Sequence, residues 1–316
     1  MRYSLIFPGQ GAQKPGMGKE FFDSYPVSRK VFEEADDALG FSLSDIIFNG
    51  TKEDLMKTAV TQPAILTVSI AVLKAIEYAY GSELKPRCAA GHSLGEYTSL
   101  VAAGAISLAD GVRLVHLRGE LMQDAVPIGV GAMYAIIGMD FERVREICTE
   151  ASRGEVCEAA NINEPMQIVI SGHKGAVERA TAIVSASGSA RVVPLRVSAP
   201  FHCELMRPVG DKLKEAFVKI NWKTPRYPIV TNVSAEIVQN IEGLKEALYR
   251  QTFSPVLWYQ SVLAMESYGT DGYIEIGPGS VLSGLVRKIC KGKRPYPVSI
   301  PEELDTALHF LRGEQV

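Results

Sequence analysis

A glycine–serine–glycine pattern in the first third of the chain places the strongest constraint on how it can fold. Gly91-His92-Ser93-Leu94-Gly95 has the form Gly-x-Ser-x-Gly and follows a short apolar stretch, residues 87–90. In that form a strand turns sharply into a helix and presents the serine hydroxyl at the turn. Residues 94–105 predict this helix, whose free N–H groups would face an oxyanion. The motif therefore predicts an α/β sheet that carries a nucleophilic serine.

Composition excludes several classes of protein. With 316 residues, 47% hydrophobic and 22% charged, the chain has the make-up of a soluble globular protein with an ample core. Its formal net charge of -3 argues against a general nucleic-acid binder. Five cysteines without a Cys-x-x-Cys pair predict neither a disulfide framework nor a zinc site, and they favour a reducing cytoplasm. The apolar N-terminal run is too short for a signal peptide, and the uncharged residues 58–73 are too few to span a membrane.

Alternating strand and helix patterns occupy the two ends of the chain. The predicted elements of the first part are a strand over residues 3–7, helices over 28–39 and 108–122, and a helix with Pro63 at its first position. Those of the last part are strands over 227–231 and 272–276 and helices over 243–251, 255–267 and 280–291. This alternation favours a largely parallel sheet covered by helices, as in hydrolase-like α/β proteins.

Between residues 129 and 197 the pattern changes. The predicted strands cover 132–138, 156–160, 167–171 and 191–197, the predicted helices cover 141–152 and 175–187, and a turn is expected over 161–166. The order β-α-β-β-α-β is that of the ferredoxin-like split motif. We therefore predict a ferredoxin-like small domain, 129–197, inserted between two segments of a large hydrolase-like domain, 1–128 and 198–316.

A nucleophilic serine needs a general base, and His202 is the best placed of the five histidines. His92 adjoins the serine, where neighbouring side chains of a strand point to opposite faces. His116, His173 and His309 fall in helices or a turn, where packed or solvated histidines are common. His202 instead follows a predicted strand downstream of the serine, where α/β hydrolases carry their base.

The sequence offers no clear carboxylate as the third member of a triad. The candidates are Asp110, Asp124, Asp140, Glu158 and Glu164. None lies on a strand-end loop that the sequence places beside the base. A neutral orienting group would stabilise the imidazolium less, and this argues against a vigorous hydrolase.

Arg118 lies in the middle of the apolar stripe of the helix predicted over 108–122. A core-facing arginine needs an anionic partner, because an unpaired buried charge costs several kcal/mol. Spacing alone allows a structural salt bridge or an arginine that reaches solvent. It also allows recognition of a substrate carboxylate, which the planar guanidinium can bind with two parallel hydrogen bonds.

A series of short motifs, taken in order, resembles one enzyme family over nearly the whole length. The motifs are Phe7-Pro8-Gly9-Gln10-Gly11-Ala12-Gln13, Thr61-Gln62-Pro63-Ala64, the Ser93 pattern with Glu96-Tyr97, Arg118-Gly119-x-x-Met122-Gln123, Asn161-x-Asn163, Pro200-Phe201-His202, Gln251, Ser254-Pro255 with Trp258, and Glu275-Ile276-Gly277-Pro278-Gly279. In these the chain is similar to the malonyl-CoA:acyl-carrier-protein transacylases of fatty acid synthesis. The resemblance implies the hydrolase-like core and ferredoxin-like insertion predicted above.

The resemblance also implies the catalytic residues. Ser93 and His202 would form a dyad in which the histidine is oriented by the main-chain carbonyl of Gln251. The backbone N–H groups of Gln10 and Leu94 would form the oxyanion hole. The implied reaction is ping-pong transfer of a malonyl group through a malonyl-serine intermediate, with no metal and no other cofactor.

Substrate contacts are expected from a second set of residues. The resemblance implies that Arg118 binds the malonyl carboxylate. Further contacts are predicted at Met122, Phe201, Asn163 and Gln167.

The expected partners are malonyl-CoA and acyl carrier protein, and binding to nucleic acid or to a membrane is not expected. The enzyme is expected to be a cytoplasmic monomer. Arg287 and Lys288, in the densest basic cluster of the chain, are predicted to dock the acidic carrier protein. Cations in a last helical turn are also common as simple complements to the helix dipole. The alternatives are a serine acyl hydrolase or thioesterase, a polyketide-type acyltransferase on the same fold, and a non-catalytic docking module.

Overall fold

Two β-sheets organise the residues that the computed structural model describes, which are 2–127, 129–195, 197 and 199–314. The strands are β1 (Tyr3–Phe7), β2 (Ala89–Gly91), β3 (Gly131–Ile137), β4 (Cys157–Glu164), β5 (Gln167–His173), β6 (Arg191–Pro194), β7 (Ile229–Val230), β8 (Ile237–Val238), β9 (Gly272–Ile276) and β10 (Pro295–Val298). The helices are α1 (Lys19–Ser24), α2 (Pro26–Leu39), α3 (Leu43–Asn49), α4 (Lys52–Met56), α5 (Thr58–Tyr80), α6 (Leu94–Ala102), α7 (Leu108–Asp124), α8 (Phe141–Ser152), α9 (Lys174–Ser187), α10 (Arg207–Phe217), α11 (Ile241–Gln251), α12 (Trp258–Ser267), α13 (Val281–Ile289) and α14 (Leu304–Arg312).

The first sheet has the order β10-β9-β1-β2-β7-β8. All of its neighbouring strands are parallel except β7 and β8, which form an antiparallel edge. Every residue of β1, β2 and β9 is buried, as expected for strands that helices cover on both faces. The prediction of a mixed α/β protein with a largely parallel sheet is confirmed.

The parallel strands β1, β2 and β7 are neighbours, so the loops at their carboxyl ends meet at one edge of the sheet. Gln10 follows β1, Ser93 follows β2, and Asn232 follows β7. Ligands of open α/β sheets bind at this edge. The topology therefore brings three polar residues together that are far apart in the sequence.

The second sheet lies in the central part of the chain. Its order is β4-β5-β3-β6, and all of its neighbours are antiparallel. Helices α8 and α9 pack on it over an apolar cluster of its own, which includes Ile136, Val144, Ile168 and Val177. The predicted domain boundaries fall at Ile128 and Ser198, which lie outside the described residues, and the division into domains stays a prediction.

The prediction that Pro63 opens a helix is wrong, because Pro63 lies inside α5 (Thr58–Tyr80). A proline has no N–H, so the carbonyl of the residue four positions earlier, Ala59, loses its helical donor. His116 on α7 supplies the missing donor, with its Nδ1 2.8 Å from the Ala59 oxygen. A histidine from a neighbouring helix thus satisfies the backbone group that the proline leaves free.

Helix α5 is also longer than the sequence analysis expected. By length and composition alone it could span a membrane. In the structure most of its length is buried inside the protein, where α5 packs against α2 and α7. The apolar side chains of α5 are therefore packed in the core of the protein.

Several boundaries differ from their predictions in the last two-thirds of the chain. Strand β4 continues to Glu164, so the turn predicted from residue 161 is wrong. The backbone of β4 also pairs with Val256, whose carbonyl accepts the Ile162 N–H at 2.9 Å. Strand β6 ends at Pro194, short of residue 197. Helix α10 and strands β8 and β10 were not predicted. Two prolines obscure β10 in the sequence, and it is an edge strand, where proline is tolerated.

Candidate active site

The turn after β2 holds Ser93 in a strained conformation. Its φ of 52° and ψ of -106° are unusual for a residue with a side chain. A Cβ placed on Gly91 would lie 1.9 Å from the Gly95 backbone, and one on Gly95 would lie 2.2 Å from the Phe7 oxygen. Only glycine fits at both positions, which explains the spacing of the motif.

Asn232 fixes this turn from the neighbouring strand. Its side-chain oxygen accepts the Ser93 N–H at 2.7 Å, and its side-chain nitrogen donates to the Gly91 oxygen at 2.7 Å. Asn232 was not predicted as a site residue. The signal in the sequence was its position directly after a predicted buried strand of the parallel sheet.

Ser93 and His202 are in direct contact. Ser93 Oγ lies 2.7 Å from His202 Nε2, and His202 Nδ1 lies 2.9 Å from the Gln251 main-chain oxygen. A carbonyl can only accept, so Nδ1 carries the proton and Nε2 offers its lone pair to the serine hydroxyl. Burial, with a further contribution from Arg118, lowers the pKa of His202 to about 3. The imidazole is therefore neutral at physiological pH, as a general base must be.

The side chain of Gln251 ties the site together. Its oxygen accepts from Arg118 Nη2 at 3.0 Å, while its nitrogen donates to the Ser93 carbonyl at 2.8 Å and to Glu96 Oε2 at 2.9 Å. Glu96 is also buried and accepts the Asn232 N–H at 3.1 Å. One glutamine thus orients the histidine through its backbone and connects the arginine to a carboxylate through its side chain.

The two residues predicted to form an oxyanion hole flank the serine. Leu94 is the first residue of α6, so its N–H belongs to the free N-terminal turn of the helix. Gln10 lines the pocket after β1, and Gly95 packs against the end of that strand. Neither the Gln10 nor the Leu94 N–H has an acceptor among the described residues. Both stay available for a developing negative charge.

Arg118 projects from α7 into the same site and is 2% exposed. Its guanidinium donates to Gln62 Oε1 at 2.7 Å, Ser93 Oγ at 3.1 Å and the Gln251 side chain. These acceptors are all neutral, and Nε has no partner within the described part of the chain. Burial lowers the pKa of Arg118, which lies over the Tyr97 ring at 5.3 Å. The structure leaves this cation without a directly bound carboxylate.

A pocket of about 590 Å³ opens above these groups. Its lining includes six residues that the sequence analysis predicted: Gln10, Ser93, Arg118, Met122, Phe201 and His202. It also includes residues that were not predicted as site residues, among them Met56, Met133, Asn161, Leu195 and Val197. Met133, Asn161 and Leu195 lie on or beside the second sheet. Their side chains form a second wall of the pocket, contributed by the second sheet, and their residue types alone do not mark them as site residues.

The predicted substrate contacts Asn163 and Gln167 and the predicted docking residues Arg287 and Lys288 are not among the residues that line this pocket. Asn163 Oδ1 accepts from His92 Nε2 at 2.9 Å, and Gln167 pairs with Ile137 on β3. Neither residue is part of the pocket lining, although Asn163 adjoins it through His92, which lines the pocket, and substrate contact by Asn163 and Gln167 stays a prediction. Arg287 is exposed near the end of α13, whereas Lys288 forms an ion pair with Glu164 at 2.8 Å.

The described residues contain no cluster of three or more His, Cys, Asp or Glu side chains that could hold a metal ion. The pocket itself offers a serine, a neutral imidazole, free backbone N–H groups and a buried guanidinium. These are the parts needed for acyl transfer to and from the serine hydroxyl.

Comparison with known proteins agrees with this geometry. The acyl transferase domain family matches residues 4–301. A malonyl CoA-acyl carrier protein transacylase of Bacillus subtilis (strain 168) is 44% identical over 99% of this chain and 98% of its own length. The protein of the same name from Escherichia coli (strain K12) is 44% identical over 98% of this chain and 99% of its own length.

Solved structures agree with the sequence relatives. A malonyl-transacylase in complex with its holo type II PKS acyl-carrier protein has a TM-score of 0.94 at 42% identity, covering 98% of this chain and 100% of that chain. An acyl carrier protein S-malonyltransferase from Vibrio cholerae has a TM-score of 0.94 at 41% identity, covering 97% of this chain and 100% of that chain. This chain is an acyltransferase and belongs to the malonyl-CoA:acyl-carrier-protein transacylase family.

Proposed function

We propose that this protein transfers the malonyl group of malonyl-CoA to the phosphopantetheine thiol of an acyl carrier protein, through a malonyl ester on Ser93. The observation that carries the proposal is the buried Arg118, which contacts Ser93 Oγ at 3.1 Å and has only neutral acceptors. A cation held beside the nucleophile selects an acyl group with a carboxylate at its far end. Malonyl is the acyl group named for the relatives.

The first half-reaction forms the acyl-enzyme. His202 Nε2 takes the Ser93 proton as Ser93 Oγ attacks the thioester carbon, and the Gln10 and Leu94 N–H groups stabilise the oxyanion. The C–S bond then breaks, and the proton passes from His202 to the sulfur of the leaving CoA. The Gln251 carbonyl holds Nδ1–H at 2.9 Å and keeps the imidazole in the tautomer that this step needs. The scheme requires no metal and no other cofactor.

The second half-reaction reverses the first with a different thiol. The carrier thiol gives its proton to His202 and attacks the malonyl ester, and Ser93 Oγ leaves with that proton. A relative was solved in complex with its acyl-carrier protein, which supports a carrier protein as the acceptor here. Arg287 is exposed near the end of α13 and remains our candidate for carrier docking.

A serine hydrolase is the rival reaction on such a fold. No specific feature of the site favours it. His202 Nδ1 is held by a neutral carbonyl rather than a carboxylate, and an imidazolium is less stabilised by that partner. In a hydrolase, with water as the acceptor, the Arg118 contact would have a role only in the acylation step.

The proposal extends to the architecture of the chain. We propose that residues 129–197 form a ferredoxin-like insertion in a hydrolase-like domain formed by 1–128 and 198–316. The strand order β4-β5-β3-β6, with α8 and α9 packed against that sheet, supports this division. The protein would act as a cytoplasmic monomer, and its free cysteines, four of them buried, fit a reducing compartment.

Intact-protein mass spectrometry tests the proposed reaction. Incubation with malonyl-CoA alone is expected to add the mass of one malonyl group, located on the peptide that contains Ser93. Addition of holo acyl carrier protein is expected to remove that mass and to place it on the carrier. Apo carrier, which lacks the phosphopantetheine thiol, is the matched control. Free malonate in place of malonyl-carrier would indicate the hydrolase instead.

A further inference from the structure

Glu96 is a buried carboxylate that the proposed reaction does not use. It is 1% exposed and lies in the first turn of α6, three residues after Ser93. Its Oε2 accepts from the Gln251 side chain at 2.9 Å and from the Asn232 N–H at 3.1 Å, whereas Oε1 has no partner among the described residues. A buried carboxylate with one unpaired oxygen lowers the stability of the fold, so its position next to the nucleophile needs an explanation.

The same glutamine connects this carboxylate to the arginine of the pocket. Arg118 donates to one end of the Gln251 amide at 3.0 Å, and the other end donates to Glu96. The chain of contacts therefore runs from cation to amide to anion, with the amide dipole aligned to both charges. Arg118 and Glu96 are both buried, so little water screens the charges between them.

We propose that Glu96 is the countercharge of Arg118 in the empty site and takes up a proton from solvent when a malonyl carboxylate binds Arg118. A second anion beside Arg118 makes two negative charges compete for one buried cation, and protonation of Glu96 relieves that competition. The inference rests on the proposed function, because it requires a malonyl group on Ser93. It makes Glu96 a positioning residue, since Glu96 acts through Gln251 and Arg118.

The other ionisable groups around Glu96 stay in one protonation state near neutral pH. Burial raises the pKa of Tyr97, the adjacent residue, to about 12, and burial lowers the pKa of His202 to about 3. Burial raises the pKa of Glu96 itself to about 7, while its hydrogen bonds and Arg118 oppose that shift. Gln251 and Asn232 contribute neutral groups only. Glu96 is thus the group in this cluster that can exchange a proton near pH 7.

The proton balance gives a direct measurement on the unmodified enzyme. Acylation moves the Ser93 proton through His202 to the CoA sulfur, so this step by itself takes up no proton. Enzyme mixed with malonyl-CoA in weak buffer with a pH indicator dye is expected to take up a fraction of a proton per acylated site near pH 7. Acetyl-CoA, which lacks the carboxylate, is the control substrate and is expected to give none. Equal uptake from the two donors would overturn the proposal.

The specificity ratio between the two donors supplies a second readout. The ratio of kcat/KM for malonyl-CoA to that for acetyl-CoA is expected to fall at least about fivefold from pH 6 to pH 8, as Glu96 ionises and competes with malonyl. Effects of pH on CoA are common to both donors and cancel. In Glu96→Gln, which keeps the shape and removes the charge, the ratio is expected to be independent of pH. A ratio in Glu96→Gln that keeps the parental pH dependence would overturn the proposal.

Glu275→Gln is the matched control for losing a buried carboxylate. Glu275 on β9 accepts the Leu282 and Ser283 N–H groups at the start of α13. Its replacement is expected to lower the unfolding temperature and to keep the parental pH dependence of the ratio. If the malonyl mass on Ser93 never forms, the proposed function fails; if it forms without proton uptake and without a pH-dependent ratio, only the role of Glu96 fails.

Discussion

The two walls of the pocket are built differently. The first wall carries Ser93 from the turn after β2, Arg118 from α7 and His202 from the segment between β6 and α10, and hydrogen bonds of 2.7–3.1 Å connect these residues to one another and to their neighbours. The wall that belongs to the second sheet presents Met133 and Leu195, with Asn161 as its polar member. The catalytic groups thus come from a turn of the parallel sheet, from a helix and from the segment between β6 and α10, and the second sheet lines the pocket with mainly apolar surface.

This difference matters because the two kinds of wall respond differently to substitution. A largely buried polar network depends on positions to within a few tenths of an ångström, and loss of one member leaves others unsatisfied. Methionine and leucine side chains can repack around a substrate at a small cost. Substitutions in the first wall should therefore affect catalysis strongly, and substitutions behind the second wall should affect it moderately.

The largest effect is expected from Ser93→Ala. Because no other described hydroxyl or thiol contacts His202 Nε2, the variant is expected to gain no malonyl mass from malonyl-CoA. The fold should persist, since the turn is held by the Ser93 backbone, which the substitution keeps. Mass spectrometry and the unfolding temperature measure the two outcomes. A variant that still gains the malonyl mass would show that the nucleophile lies elsewhere.

His202→Ala is expected to come next. Loss of a general base commonly lowers the rate by about 10²–10⁴-fold, and single-turnover acylation by malonyl-CoA measures it. In the parent enzyme the low pKa of His202, about 3, keeps the imidazole neutral, so protonation of His202 should not reduce acylation between pH 5 and pH 8. Acylation within threefold of the parental rate in the variant would assign the base to another group.

The contrast between the walls also explains what the sequence could predict. Ser93 and His202 are chemically distinctive residues at strand ends, and Gln251 and the fold followed from motifs. Met133 and Leu195 carry no such signal, because a lining methionine looks like a core methionine. Asn163 was predicted as a substrate contact from the resemblance; in the structure it accepts from His92 at an irregularity of β4 between Ile162 and Glu164, which the sequence does not reveal. Glu96 was quoted within a motif, yet its contact with Gln251 joins residues 155 positions apart.

Arg118→Ala tests the selectivity of the first wall. Removing the guanidinium leaves a malonyl carboxylate buried without a partner, a penalty of roughly 2–5 kcal/mol, or at least about 30-fold in kcat/KM. Acetyl-CoA does not incur this penalty, so the ratio of malonyl to acetyl transfer should fall. Arg118→Lys keeps the charge and loses the planar guanidinium. Its ratio of malonyl to acetyl transfer is expected to lie between those of the parent and of Arg118→Ala. An equal drop for both donors would make Arg118 structural.

Asn163→Ala tests how the second wall is held. Its loss leaves the partly buried His92 Nε2–H without this acceptor, which should lower the free energy of unfolding by about 1 kcal/mol. The kcat/KM for malonyl-CoA is expected to fall only a few-fold, because the network around Ser93 is intact. Urea unfolding and steady-state kinetics measure both. Gln167→Ala is the control and is expected to keep the parental kcat/KM for malonyl-CoA. A larger loss of kcat/KM in Gln167→Ala than in Asn163→Ala would indicate that Gln167 contacts the substrate.

The smallest effect is expected at α13, where two adjacent cations differ in their surroundings. The side chains of Arg287 and Lys288 are both exposed, but Lys288 also forms an ion pair with Glu164 at the end of β4. If the cluster steers an acidic carrier protein, Arg287→Glu should raise the KM for carrier protein several-fold at low salt and less at physiological salt, where charges are screened beyond ~8 Å. Lys288→Glu should in addition lower the unfolding temperature slightly, because it places two carboxylates together. Lys212→Glu, an exposed site on α10 with the same change in net charge, is the matched control. An equal rise in the KM for carrier protein in Arg287→Glu and Lys212→Glu would indicate a general effect of net charge. In that case α13 would not be the docking surface beside the second wall.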